Sequence, residues 1–109
     1  MSIVQERRRD LRTVVTWPAT VFTSEAQVEG QIENIGPGGA FISFPESPPF
    51  EESFRMVIRV PNHQTMNVGA RVIWSTVLST DEGSPHFGVG VEFTRISDGD
   101  RRFFAGRLD

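Results

Sequence analysis

Residues 6–12, ERRRDLR, set four arginines within six positions of a chain whose formal charge is −3. A guanidinium is a rigid fork of N–H donors. It meets a phosphate, or any flat edge with two adjacent acceptors, through parallel hydrogen bonds. Further on, residues 34–42 read NIGPGGAFI, with Gly36, Gly38 and Gly39 around Pro37. The Asn34 amide offers a donor and an acceptor together. The glycines permit positive φ and let a flat group approach the backbone. The two stretches are therefore candidates for binding, and the chemistry is capture of a small anion. Each also has a plainer reading. An arginine run is commonly a solvated tail, and a Gly-Pro-Gly-Gly stretch is commonly a tight turn.

The charge is local. Arg7, Arg8, Arg9 and Arg12 face only Glu6 and Asp10 within the first twelve residues, so the remainder of the chain carries the acidic excess. A polymeric nucleic acid wants a basic face, so it is disfavoured as a partner. Every basic residue is arginine and none is lysine. Genomic base composition accounts for that simply, although arginine is also the better residue for bidentate recognition. Cysteine is absent, which excludes disulfides and thiolate metal sites and suits a cytoplasmic setting. MSIVQERRRD has no apolar stretch of the secretory kind. No run approaches the ~20 apolar residues of a membrane span. His63 and His86 stand singly, with no metal-ligand spacing, so neither catalysis nor a metal cofactor is expected.

Elements that could position the candidate residues follow from hydrophobic period. The chain has 109 residues, the size of one domain. Phe54, Met56, Ile58 and Val60 alternate with Arg55, Val57 and Arg59; Met66, Val68, Ala70, Val72 and Trp74 with Asn67, Gly69, Arg71 and Ile73; and Phe87, Val89, Val91 and Phe93 with Gly88, Gly90 and Glu92. Period two is the signature of strands with one buried face. On this pattern Trp74 is read first as core and second as a residue stacking near the candidate site, and His86 is an exposed residue at a strand start. Residues 13–23, 26–34 and 40–44 supply three further strands, and Pro18 implies an edge or a bulge in the first. Turn signals lie at 36–39, 45–49, 61–64 and 81–85. Ser97 followed by Asp100 reads as a helix start, and Phe104 and Leu108 have helical spacing, so a short helix is predicted over about 98–108. Six short strands with regular turns predict an all-β, closed or nearly closed antiparallel barrel over 13–109. It would be preceded by a flexible arginine-rich segment, 1–12.

RRDLR and NIGPGG together resemble the two signature motifs of the PilZ domain family, RxxxR followed by [DN]xSxxG. Arg8 and Arg12 match the first motif, with Arg7 and Arg9 beside them. Asn34 and Gly39 match the second, while Gly36 stands where the family usually has serine. ARVIWS (70–75) and FGVGVEF (87–93) are similar to later family strands, so the resemblance spans about 6–108. It implies a six-stranded antiparallel barrel that binds cyclic di-GMP, a bacterial second messenger, and relays the signal to a protein partner without being an enzyme. Arg7, Arg8, Arg12, Asn34, Gly36, Gly38 and Gly39 would hold the ligand. The Gly36 departure leaves a second expectation open: a diverged domain that no longer binds nucleotide and acts as a protein adaptor in motility or pilus machinery.

Overall fold

The computed structural model describes residues 12–45, 53–78 and 86–106. Six strands appear in chain order: β1 (Thr13–Phe22), β2 (Gln27–Ile35), β3 (Gly39–Phe44), β4 (Ser53–Ile58), β5 (Met66–Leu78) and β6 (His86–Arg95). One helix follows, α1 (Asp98–Gly106). The strands close into a barrel in the order β1-β2-β3-β6-β5-β4, with every neighbouring pair antiparallel. The expected barrel and helix are thus both present. Closure leaves Pro18 no edge. It lies instead between a β1 bulge, where the register with β2 shifts between Val14 and Trp17, and the β1–β4 ladder, which starts at Ala19.

Alternation fills the interior. Val21, Ile32, Ile42, Phe44, Met56, Ile58, Val68, Val89 and Val91 are all at most 2% exposed and come from all six strands. One long side chain of this kind, once buried, stabilises by about 1.5–3 kcal/mol, so the core rather than the turns holds the barrel closed.

The helix closes one end of that core. Ser97 Oγ accepts the Asp100 N–H at 3.0 Å, which satisfies one of the free donors of the first turn and fixes where the helix begins. Phe104 is 1% exposed and packs against Trp17, Phe93 and Phe103, with ring centroids 5.8–6.5 Å apart. Phe103 in turn stacks on His63, at 4.3 Å, from the β4–β5 turn. His86 begins β6 as expected but is half-buried rather than exposed. No described helix is long and apolar enough to cross a membrane.

A register shift between Val72 and Trp74 in the β5–β6 ladder overturns the expectation for Trp74. The extra residue, Ile73, breaks the alternation. Val72 keeps to the core side, and Trp74 is carried outward to 50% exposure.

Candidate functional site

Antiparallel order brings four chain segments to one end of the barrel: the start of β1, the β2–β3 turn, the β4–β5 turn and the exit of β6 into α1. Arg12 immediately precedes β1. Thr13 pairs with Ile35 and Val14 with Asn34, so the register sets Arg12 beside the end of β2. Its Nη1 donates to Asn34 Oδ1 at 3.3 Å. Two of the residues singled out by type alone, 22 positions apart, therefore share one contact. Arg7 and Arg8 lie outside the described residues.

The turn beside them is held from three directions. Gly36 N–H donates to the Gly39 carbonyl at 2.9 Å, closing a two-residue loop over Pro37 and Gly38. Pro37 is suited to it because its φ is already fixed. The Gly38 carbonyl accepts Phe93 N–H from β6 at 2.9 Å, and the Pro37 carbonyl accepts Arg101 Nη1 from α1 at 2.8 Å. Gly39 is needed for close approach rather than for positive φ. Its backbone lies outside the left-handed region, and a Cβ there would overlap the Val91 carbonyl oxygen across the β3–β6 ladder. The site residues Gly36, Gly38 and Gly39 thus form a rigid rim that abuts both a strand and the helix.

An aromatic platform continues from Asn34. Successive cross-strand partners run Val14, Asn34, Phe41, Gly90 and Trp74 across β1, β2, β3, β6 and β5. Phe41 and Trp74 stack with centroids 5.2 Å apart and planes 15° from parallel. They meet over Gly90, where a Cβ would overlap the indole. Trp74 therefore packs against Gly90 and Phe41 and leaves half of its side chain exposed. One row further along, Glu92 stands between Gly39 and Arg71, and its carboxylate pairs with Arg71.

Phe41 is not among the sequence candidates, and Trp74 is read there first as core. The available signal was Gly90: a glycine inside a strand marks a place where something lies close on the backbone. Among the described residues, no group of three metal-ligating side chains is arranged to hold an ion. The assembled chemistry is a cationic fork and an amide beside a glycine turn, with an aromatic surface continuing along the row from Asn34.

The PilZ domain model matches residues 6–106. The chain belongs to the PilZ domain family. Solved structures agree on the fold. The K. pneumonia MrkH–c-di-GMP complex superposes with a TM-score of 0.79 at 17% identity, over 94% of this chain and 50% of that one. The PilZ domain of YcgR from Escherichia coli, with c-di-GMP, gives 0.74 at 13% identity, over 94% and 88%. The Bacillus subtilis inhibitor of motility MotI/DgrA gives 0.75 at 20% identity, over 93% and 49%. This PilZ chain therefore spans about half the length of MotI and MrkH. Among curated proteins the search finds no match.

Proposed function

We propose that this PilZ domain is a cyclic di-GMP receptor, and that the Arg12–Asn34 contact at the barrel end is the core of its ligand site. That contact carries the reading, because it joins both family motifs in one place. Cyclic di-GMP presents two guanines and two phosphates. A guanine offers O6 and N7 to an arginine fork, and the phosphate oxygens suit the same fork. Arg12 and Arg8 supply the forks, with Arg7 as a further phosphate contact. Asn34 reads a base edge, and the rim of Gly36, Gly38 and Gly39 lets the base approach. Phe41, one strand away from Asn34, and Trp74, stacked on it, offer an aromatic surface. The c-di-GMP in the MrkH and YcgR structures supports the choice of ligand.

Relay to a protein partner follows from the same geometry. Ligand neutralises the mutual repulsion of the arginines and orders residues 1–12 over the strand ends near 34–39. The Arg101 bond to Pro37 ties that rim to α1, so a surface made of the ordered segment and the helix changes when ligand binds. The domain acts as an adaptor and not as a catalyst.

Calorimetric titration with cyclic di-GMP, with GTP as control, tests the receptor reading. Saturable heat that disappears in Arg8→Ala/Arg12→Ala is the expected result, and the stoichiometry counts one ligand or two. No heat at ~100 μM, about −5.5 kcal/mol of binding free energy, would turn the reading to the diverged adaptor. Equal hydrogen-exchange protection of residues 6–12 with and without ligand would remove the relay.

A further inference from the structure

A second arginine arrangement lies on the barrel wall and shares no residue with the site above. Phe22, Arg55, Gly69 and Arg95 are successive cross-strand partners on β1, β4, β5 and β6. Gly69 has no side chain, so the two arginines stand on either side of a bare strand. Two strand spacings separate their Cα atoms, about 9.5 Å. Both side chains are exposed, whereas Phe54, Met56, Val68 and Ala70, which flank Arg55 and Gly69 in sequence, all point into the core.

Local irregularity builds the cleft. The β5–β6 register shifts between Gly69 and Ala70, which makes Thr94 the bulged residue. Thr94 and Arg95 consequently both face outward instead of alternating. A side chain at Gly69 would press on Thr94 Oγ1 and the Arg95 Cβ, so glycine keeps the floor open. The result is a solvent-open cleft of about 380 Å³ lined by Arg55, Arg95, Ser53, Asn67 and Thr94, with Phe54, Val68 and Gly69 completing the lining.

The polar lining can donate throughout. Two arginines, two hydroxyls and an amide line the cleft, and no described carboxylate forms an ion pair with Arg55 or Arg95. The described ion pairs on this barrel are Arg59 with Glu29 and Arg71 with Glu92. Arg55 is held in place by a neutral partner: its guanidinium lies 4.4 Å over the Phe22 ring. Stacking of this kind orients the fork and leaves its N–H edge for another acceptor. Two like charges set across a glycine floor, with hydroxyl and amide donors in the flanking rows, are stabilised by an anion.

We infer that this cleft is an oxyanion-binding site, taking a phosphate or carboxylate group between Arg55 and Arg95. It is independent of the nucleotide site, and it gives an otherwise acidic domain a second place to hold an acidic ligand group.

The test is an amide-resolved NMR titration with inorganic phosphate, repeated with malonate, at constant ionic strength. Saturable shifts confined to the amides of residues 67–69 and 94–95 are expected. They should persist in Arg12→Ala, which excludes the nucleotide site as their origin. They should weaken by about tenfold or more in Arg55→Gln and in Arg95→Gln, the loss of one charge-assisted contact. Both variants are at exposed positions, and an unchanged circular dichroism spectrum checks their fold. Response to phosphate alone identifies a phosphate-bearing ligand, and response to malonate alone a carboxylate. Glu51 and Glu52 immediately precede Ser53 in the sequence, so Glu51→Gln/Glu52→Gln is titrated as well. Saturable binding that appears only there supports the site, with the chain's own carboxylates competing for it. Silence in both proteins, non-saturating shifts, or shifts unchanged by Arg55→Gln and Arg95→Gln would overturn the inference.

Discussion

Two regions of this barrel use arginine and glycine together, and they differ in what surrounds the pair. At the barrel end, Arg12 meets an amide, the glycines form a turn, and a Phe41–Trp74 platform adjoins them. On the wall, Arg55 and Arg95 stand on either side of Gly69 with hydroxyls in the cleft lining, and an aromatic, Phe22, lies beneath an arginine. A flat polar edge needs donors and acceptors in a plane with a stacking surface nearby, so the end suits a nucleobase with phosphate. A bare oxyanion needs only donors, so the wall suits that. Arg101 from α1 and Phe93 from β6 clamp the turn at the end.

The comparison breaks most visibly at the arginines. Arg8→Ala/Arg12→Ala removes at least two charge-assisted contacts, about 3–6 kcal/mol of cyclic di-GMP affinity, and leaves the phosphate titration of the wall unchanged. Calorimetry and the NMR titration read the two halves separately, and loss at both sites would merge them into one electrostatic field.

Next in size is the helix plug. Phe104→Ala opens the core between Trp17 and Phe93 and is expected to cost about 3–5 kcal/mol in denaturant unfolding. Because α1 holds the turn through Arg101, ligand affinity should fall as well, with the wall cleft less affected. A variant with full stability would mean that the helix does not seal the barrel.

Trp74→Ala sharpens the contrast. The side chain is half-exposed, so stability should change little, while loss of one base-stacking surface costs about 1–3 kcal/mol in cyclic di-GMP affinity. Tryptophan fluorescence quenched by ligand, with Trp17 buried as internal reference, checks the same contact. Unchanged affinity would restrict the platform to a packing role.

The smallest expected effect is a gain. Gly36→Ser restores the hydroxyl usual in the family and should tighten binding by about 0.5–1.5 kcal/mol, one neutral hydrogen bond. Weaker binding in a folded variant would show that the rim needs glycine there.

Much of this molecule is written in its sequence because alternation is a local property. Met56, Val68 and Val91 declare inward positions by period two, and closure of six such strands follows from burying one face of each. Ser97 and Phe104 likewise place the helix, since a cap and a helical spacing are both short-range. The candidate residues Arg12, Asn34 and Gly36 to Gly39 were identifiable by type. Arg7 and Arg8 lie outside the described residues, and their role and the division of the chain at residue 12 remain proposals for the measurements above.

Tertiary structure decided what lies next to what. Nothing local to Ile73 announces a bulge. It arises because β5 must stay paired with β6 while both twist around the barrel, and that single slip moves Trp74 from the core to the surface. Similarly, Gly39 and Gly90 look like turn or flexibility signals in isolation. Only the β3–β6–β5 pairing reveals that one makes room for the Val91 carbonyl and the other for an indole. The row from Phe22 to Arg95 draws on four strands distant in sequence, and no window along the chain contains it. Composition and period determine which side chains face in or out. Cross-strand register, a property of the closed sheet, determines which of the outward ones meet.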